Sequence, residues 1–228
     1  MSSPDLLPLT DCFWLAAHDT GSGKSCLASG PLNIGLATGL LAELLYTGIV
    51  SIQDERLYLQ FSPPPTDVAL ASVARLLSDE ERTLRSRPNE LHQQIGLDLR
   101  EWIRFLAIQN RAADLVTMRL IQSGSITVEH RRKLFGGATS RFVPLDTYVS
   151  GVPANRILTS LERRVILDAK SLVLAGLLLA TGLHQEALAT LSSEGRAELA
   201  RQLRTLHPMP RELLRCAEQL VGETVMNR

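Results

Sequence analysis

Residues 21–25 read GSGKS and are the most direct candidate for chemistry, because the end of a phosphate-binding loop has this form. The full motif requires a glycine five positions before Gly23, and His18 stands there. Such a loop must also lead directly into a helix N-terminus, whereas Pro31 predicts a helix that begins later. We therefore interpret the segment as a solvated turn, and we predict no nucleotide hydrolysis.

Histidine, cysteine and carboxylate side chains form no recognisable catalytic or metal-binding pattern. The five histidines are scattered and include no HExxH motif, and Cys12, Cys26 and Cys216 match no metal spacing. An odd number of cysteines is typical of a reducing compartment. Asp98 and Glu101 are expected on a solvated helix face. We predict no catalytic residues, no metal site, no cofactor and no enzymatic activity.

Glu43 is unusual because it lies inside the apolar segment GLATGLLAELLYTGIVSI, residues 35–52. One hypothesis makes it a buried acid or base with a raised pKa. The other has its carboxylate accept hydrogen bonds from the backbone of a neighbouring loop, which would fix a ribbon to the helix. We expect the structural role.

The composition is that of a soluble globular protein, with 228 residues, 45% hydrophobic, 21% charged and a net charge of zero. The N-terminus has neither the basic region nor the apolar run of a signal peptide. Glycine and proline interrupt the apolar run at 25–42. The run at 171–183 is shorter than the roughly 20 residues that a membrane span needs. Both runs predict core helices.

The pattern of apolar residues and helix stops predicts a mainly α fold, as a single globular helical domain over residues 1–228 with short β-hairpins following two helix–Gly units. After an apolar segment at 5–17, helices are expected at 31–47, 67–82, 89–122 (bent near Gly96), 156–181, 185–205 and 210–225.

The two helix–Gly units repeat one another. AELLYTGIVSIQDER, which ends at Arg56, and MRLIQSGSITVEHRR, which ends at Arg132, superpose without gaps. The alignment places Gly48 on Gly124, and each glycine is expected to end a helix before a β-ribbon begins. The repeat predicts that both ribbons fold back over their helices.

A winged-helix DNA-binding protein would also contain helix–ribbon units. Such a protein needs Lys and Arg on the helix that enters the groove, because phosphate contacts supply most of the affinity. The first candidate helix has no positive charge between Lys24 and Arg56. The second has Arg111 and Arg119, with Asp114 between them. With zero net charge as well, DNA binding is our third hypothesis, and we expect no nucleic-acid partner.

Four stretches carry a resemblance to a known family: LPLTDCFWLAAHDTGSGKS, IGLATGLLAELLYTGIVSI, DLVTMRLIQSGSITVEHRRKLF and ILTSLERRVILDAKSLVLAGLLLA. Over roughly residues 6–190 the chain resembles the Golgi phosphoprotein 3 family, as a compact member of bacterial type. The resemblance implies a mainly helical domain that sits peripherally on membranes. Eukaryotic members bind phosphatidylinositol 4-phosphate, insert an apolar β-hairpin into the bilayer and hold the cytosolic tails of glycosyltransferases.

The headgroup ligands of that family, one tryptophan and three arginines, are not matched in this chain. Ungapped local matching places them at Ala28, Ala37, Asn110 and Ala113, with Arg111 nearby. Alanine neither carries charge nor donates a side-chain hydrogen bond. Specific recognition of phosphatidylinositol 4-phosphate is therefore not expected.

The membrane-inserting hairpin of the family is matched by EHRRKLFGG, residues 129–137, which we call the ribbon tip. Its cations and apolar residues are the composition of an interfacial anchor: Arg131, Arg132, Lys133, Leu134 and Phe135. In the opposing interpretation, Leu134 and Phe135 turn into the core and the ribbon is merely solvated.

The leading hypothesis is thus a cytoplasmic adaptor, peripheral on the cytoplasmic face of a membrane, that docks on anionic lipid through the ribbon tip. Cytosolic tails of membrane proteins are candidate partners, and a homo-oligomer would strengthen binding by avidity. The alternative is a soluble protein–protein interaction module that uses apolar grooves between helices and binds no lipid.

Overall fold

A computed structural model describes residues 7–19, 21–60, 62–86, 96–132, 138–145 and 147–226 of the chain. At residues 130–132, 138–141 and 147–150 it describes the backbone alone. These ranges are mainly helical with two small antiparallel sheets, which confirms the predicted fold class.

Helix α2 (Ser29–Tyr46) contains the apolar segment and lies at the centre of the core. Apolar side chains cover most of its circumference, so every face must be packed. Leu36, Leu40, Leu41 and Leu44 have no exposed surface. Helices from both halves of the chain surround α2. No helix in the described ranges is both long enough and apolar enough to cross a bilayer.

The other helices pack around α2 or extend the core that it begins. Their bounds are α1 (Leu9–Ala16), α3 (Val68–Arg85), α4 (Leu99–Ala107), α5 (Arg111–Gln122), α6 (Thr147–Glu162), α7 (Ala169–Ala180), α8 (His184–Ala187), α9 (Ser193–Leu203) and α10 (Pro208–Met226).

The strands form two separate ribbons. The first ribbon pairs β1 (Val50–Gln53) with β2 (Arg56–Leu59), and the short β3 (Leu97–Asp98) joins the edge of β2. The second ribbon pairs β4 (Ile126–Arg132) with β5 (Ala138–Pro144) in antiparallel register.

The internal repeat is confirmed at the level of single hydrogen bonds. Gly48 and Gly124 have φ angles of 71° and 69°, a left-handed conformation that glycine adopts without steric cost. After each glycine the backbone turns back in the same way. Ile49 N–H donates to Leu44 O at 3.0 Å, and Ser125 N–H donates to Leu120 O at 2.9 Å. Both helices therefore end in the same motif before their ribbons begin.

The helix predicted over 89–122 is wrong as one element. Residues 97–98 form β3, and α4 begins after Asp98, whose carboxylate accepts the backbone N–H of Glu101 at 2.9 Å. A 3-10 turn follows at Ile108–Asn110, where Gln109 and Asn110 both have φ near 60°. Two successive left-handed residues cannot continue a right-handed helix, so α5 starts separately.

The helix predicted over 156–181 is also wrong, because residues 163–168 separate α6 from α7. Arg164 is left-handed at φ 55°, and Val165 N–H donates to Ser160 O at 2.8 Å, which closes α6. Asp168 then accepts the backbone N–H of Ser171 and begins α7. In the same way, the helix predicted over 185–205 is divided between α8 and α9.

Helix α1 packs very closely against α2 because two glycines of α2 face it. A Cβ atom at Gly35 would lie 2.3 Å from Cζ of Phe13, and one at Gly39 would lie 2.7 Å from Oγ1 of Thr10. Real Cβ atoms do not approach other atoms so closely, and Phe13 is fully buried. The separation of α1 and α2 is thus set by the absence of side chains at these positions.

We predict that Gly35→Ala lowers the free energy of unfolding by about 1–3 kcal/mol, because the added methyl group overpacks the α1–α2 contact. Denaturant unfolding followed by circular dichroism measures this loss. Gly222→Ala in α10 is the matched control, since no described atom lies within 4 Å of the added Cβ. Its higher helix propensity should leave stability equal or raise it by up to about 1 kcal/mol. Equal stability of the two variants would contradict the close contact.

Candidate membrane-binding site

The second ribbon has a buried base and a long outer part. At the base, Ile126 is buried and pairs with Pro144. Val128 is half-buried, while Thr127 and Glu129 are exposed. Pairing continues to Arg132 and Ala138, and seven residues at about 3.4 Å each give a ribbon roughly 20 Å long. The core therefore holds the base of the ribbon, and the last described pair of the ribbon, Arg132 with Ala138, lies roughly 20 Å from that base along the strands.

Two of the five predicted lipid-binding residues fall within the described backbone at this outer end. Arg131 and Arg132 are the last residues of β4, paired with Thr139 and Ala138. Their side chains, and all of Lys133, Leu134 and Phe135, lie outside the described residues. The direction in which the apolar pair points therefore stays a prediction.

The first ribbon differs from the second although the helices before them match. Its two-residue turn consists of Asp54 and Glu55, both with positive φ, as two-residue hairpins require. Helix α10 holds this turn, because the backbone N–H of Glu55 donates to the carboxylate of Glu212 and Arg215 pairs with the Glu55 side chain. The first ribbon is thus short, acidic at its tip and fixed to the fold.

A buried ion cluster is centred on α5, the helix that leads into the second ribbon. Arg119 of α5 donates from Nε to Asp11 Oδ1 at 2.8 Å and from Nη1 to Glu43 Oε2 at 2.7 Å. Its Nη1 also lies 3.4 Å from Oδ1 of Asp67, the residue that caps α3. Arg119, Asp11 and Glu43 are buried. One guanidinium therefore links α5 to α1, α2 and the start of α3.

Glu43 accepts a backbone hydrogen bond, as expected, but the prediction that the donor lies in a loop and that the bond fixes a ribbon is wrong, because the donors belong to α1 and α5. Glu43 Oε1 accepts the backbone N–H of Thr10 at 2.7 Å, within α1. Its two carboxylate oxygens also accept from Arg119. Sequence reasoning did not identify Arg119 as this partner. The signal was present, because the gapless repeat places Glu43 on Arg119, and opposite charges at equivalent positions of a repeat can pair.

The cluster contains more carboxylates than cations, and this affects protonation. Burial raises the pKa of Asp11 to about 7, although the neighbouring Arg119 opposes the rise. Burial disfavours the charged guanidinium of Arg119, but the carboxylates of Glu43 and Asp11 outweigh that effect and raise its pKa. Asp11 is therefore the group that takes up a proton near neutral pH.

The positions matched to the family headgroup site lie in different surroundings. Ala28 is exposed and precedes α2, whereas Ala37 is fully buried in the middle of α2. Asn110 precedes α5, and its Oδ1 accepts from Asn33 Nδ2 at 2.8 Å. Ala113 is half-buried in the first turn of α5. The structure therefore brings the start of α2 beside the start of α5, with Ala37 enclosed by the core.

Arg111 is the cation nearest to these positions in sequence, and its side chain already has protein partners. Its guanidinium lies over the ring of Phe105, 4.3 Å from the centroid. Nη1 donates to Phe105 O at 2.8 Å and Nη2 to Gln109 Oε1 at 3.0 Å. These contacts stabilise the turn between α4 and α5, so Arg111 has a structural use in this chain.

The fold and the site together define a class: a helical protein built around an apolar central helix, with two helix–Gly–ribbon units. The Golgi phosphoprotein 3 (GPP34) family model matches residues 9–225, nearly the whole chain. The chain belongs to this family, which confirms the resemblance drawn from its sequence. A search of the curated proteins finds no match.

We predict that Arg119→Met lowers the free energy of unfolding by about 3–5 kcal/mol, because it leaves the carboxylates of Asp11 and Glu43 buried without a cation. Urea unfolding measures the loss. Arg82→Met is the control, since Arg82 forms an exposed pair with Asp79 and should change stability by less than about 1 kcal/mol.

A second variant separates lost charge from lost packing in this cluster. Asp11→Leu, Glu43→Met and Arg119→Met combined remove both signs of charge, and this triple variant should recover most of the stability that Arg119→Met loses. A triple variant that is no more stable than Arg119→Met would show that the ion pairs are not what the single variant disrupts.

The raised pKa of Asp11 predicts a specific dependence of stability on pH. Since the folded pKa is about 7 and the ordinary value is 3.8, the folded state binds more protons between pH 4 and 7. The free energy of unfolding should therefore fall as pH rises through this window, by up to about 1.4 kcal/mol per pH unit. Above the folded pKa the contribution of Asp11 should be lost and the curve should flatten.

Asp11→Asn should remove this slope, because asparagine does not titrate and still offers an oxygen to Arg119. Thermal unfolding at a series of pH values provides the comparison. Asp54→Asn, at an exposed turn, serves as control and should keep the wild-type profile. An Asp11→Asn profile parallel to that of wild type would contradict the assignment.

Proposed function

We propose that this chain is a peripheral membrane adaptor without catalytic activity, which docks reversibly on anionic lipid at the cytoplasmic face of a membrane. The observation that carries the proposal is the second ribbon. Its base is held by the core, β4 ends in Arg131 and Arg132, and the sequence continues with KLF, in a chain of the Golgi phosphoprotein 3 family.

The composition of the ribbon tip suits reversible attachment. Each of Arg131, Arg132 and Lys133 near an anionic surface contributes about 1 kcal/mol. Insertion of Leu134 and Phe135 contributes about 1.5–3 kcal/mol each. The total of roughly 6–9 kcal/mol, before ordering costs, permits attachment and release without permanent residence. A homo-oligomer with two or more tips would bind more tightly by avidity.

A fixed base reduces the entropy that the ribbon loses on binding, so more of the small binding energy remains as affinity. Arg119 fixes α5 to α1 and α2, and α5 leads through Gly124 directly into β4. The ribbon therefore leaves the core in a defined direction, and little freedom is lost at its base on binding. The equivalent first ribbon is tied to α10 through Glu55 and has an acidic tip, which disfavours anionic lipid.

The lipid preference that we propose is for negative charge and not for one phosphoinositide. Positions matched to the family ligands hold Ala28, Ala37, Asn110 and Ala113, and Ala37 is enclosed by the core. Arg111 is occupied by Phe105 and Gln109. Cytosolic tails of membrane proteins, which the resemblance implies as clients, are proposed partners.

A second candidate function is a protein–protein interaction module that binds no lipid. One observation favours it: an apolar groove of about 510 Å³ between α7, α8 and α9. Five leucines line this groove: Leu179, Leu188, Leu191, Leu199 and Leu203. A stoichiometric protein partner in a lipid-free fraction, together with absent vesicle binding, would favour this candidate.

We predict that the purified protein floats with vesicles containing phosphatidylserine and that added salt weakens the binding, because charge drives the approach. Arg131→Glu combined with Phe135→Ser should reduce vesicle binding at least tenfold, about 1.4 kcal/mol or more. Vesicles in which phosphatidylinositol 4-phosphate supplies the same charge should bind no more tightly than those with phosphatidylserine.

Arg82→Glu combined with Val225→Ser is the matched control. It makes the same change of charge and removes one exposed apolar side chain, 64% accessible, which lies on α10 and not on the ribbon. The control should float like wild type. Flotation that is absent, insensitive to salt or equally reduced in both double variants would contradict docking through the ribbon tip.

A further inference from the structure

The loop between α6 and α7, residues 163–168, presents an exposed aliphatic pair next to two cations. Val165 is 51% exposed and Ile166 is 77% exposed, although neighbouring Leu167 is buried. Arg163 and Arg164 precede the pair and are exposed. We call Arg163, Arg164, Val165 and Ile166 the RRVI loop. Apolar tips beside basic residues are the composition of an interfacial anchor.

The RRVI loop is held in its conformation from both sides. The backbone N–H of Val165 donates to Ser160 O at 2.8 Å, at the end of α6. On the other side, the side-chain amide of Gln202 in α9 forms hydrogen bonds with the loop backbone, and Gln202 is only 2% exposed. Its Oε1 accepts from Leu167 N–H at 2.9 Å and its Nε2 donates to Val165 O at 3.1 Å. Ile166 lies between Val165 and Leu167, whose backbone groups are both hydrogen-bonded to Gln202. The hydrogen bonds on both sides therefore hold Ile166 in its exposed position.

The sequence that forms the loop carries more cations than carboxylates in a chain whose net charge is zero, and Glu198 of α9 adds one carboxylate close enough to interact with Arg164. Residues 156–170 contain four cations and two carboxylates. Both carboxylates serve the fold: Glu162 accepts from the backbone N–H and hydroxyl of Ser192, and Asp168 accepts from those of Ser171. Arg163 and Arg164 are both exposed.

We propose that the RRVI loop is a second membrane contact, in which Ile166 and Val165 enter the interface of an anionic bilayer and Arg163 and Arg164 bind its headgroups. This inference deepens the proposed function and rests on it. Helix α6 separates the loop from the second ribbon, and its sixteen residues span about 24 Å.

A lipid surface fits the RRVI loop better than a protein partner does. A stable protein interface buries about 800 Å² on each side around an apolar centre, and a loop tip with two aliphatic side chains offers much less. A bilayer requires no complementary shape, because apolar side chains gain from any contact with acyl chains and cations gain from any anionic headgroup.

The loop can be tested with a fluorescent probe that reports local polarity. Cys26→Ser removes the exposed cysteine, and Cys12 and Cys216 are half-buried and buried. Ile166→Cys in this background is labelled with a nitrobenzoxadiazole group and mixed with phosphatidylserine vesicles. We expect the emission to move to shorter wavelength and to be quenched by spin-labelled acyl chains. Val225→Cys, labelled in the same way, is the control and should show neither change.

The same samples are floated, so that the two proposals fail separately. Flotation without an emission change at residue 166 overturns the loop contact and leaves ribbon docking standing. An emission change that persists in the Arg131→Glu, Phe135→Ser background supports the loop and argues against the ribbon. If the protein neither floats nor changes its emission, both proposals are overturned. An emission change that appears without vesicles and grows with protein concentration would show that a second copy of the chain covers the loop.

Unlabelled variants measure the size of the contribution. Val165→Ser combined with Ile166→Ser should weaken vesicle binding about tenfold or more, because two aliphatic side chains no longer enter the interface. Arg163→Gln combined with Arg164→Asn should weaken binding and reduce its salt dependence, and asparagine tolerates the left-handed conformation at 164. Wild-type binding in both variants would overturn the contact, provided that their unfolding curves match wild type.

Discussion

The structure depends on one buried cation shared among carboxylates that come from separate elements. Removing Arg119 and its partners from water costs several kcal/mol for each ion, and only short, well-directed hydrogen bonds offset such a cost. Arg119 makes these bonds with Asp11 of α1 and Glu43 of α2, and it lies near Asp67 at the start of α3. An arrangement that separates any partner from Arg119 leaves a buried charge uncompensated. The cluster thus selects one packing of α5 against the central helices, and α5 sets where the second ribbon emerges.

The two helix–Gly–ribbon units share one helix-ending motif but carry ribbons of different length and different contacts. Both helices end at a left-handed glycine with the same return hydrogen bond, so the ribbons begin alike. They differ in length and in the contacts of the first turn. The turn at Asp54 and Glu55 is tied to α10, whereas β4 and β5 pair over seven residues that begin at a buried base. The pairing of Glu43 with Arg119 joins the two units at equivalent positions, so the repeat itself supplies the contact that fixes the second ribbon.

Features set by local chemistry were predictable from the sequence, and features set by distant partners were not. The central helix follows from an apolar run that ends at Gly48, and the helical fold class follows from the same kind of pattern. The breaks inside the predicted helices 89–122 and 156–181 depend on left-handed Asn110 and Arg164, residue types that are common within helices or at their ends. The second break is further held by Gln202, which is more than thirty residues away. For the candidate site, the ribbon and its charge pattern were visible in sequence, but the ion cluster beneath it required three-dimensional pairing.

A chain with zero net charge has no long-range field to draw it to an anionic surface, so the proposed attachment depends on local patches that the fold holds in place. The second ribbon and the RRVI loop each combine cations with apolar side chains, and each is fixed at its root by buried polar groups: Arg119 under one, Gln202 under the other. Either contact alone would bind weakly and permit the protein to rotate on the surface. Two contacts on one chain that engage the same bilayer act at high effective concentration, so the second would form with little further entropy loss. A bilayer that engaged both would therefore gain a single orientation of the protein, which an adaptor needs if it is to present the rest of its surface to a client.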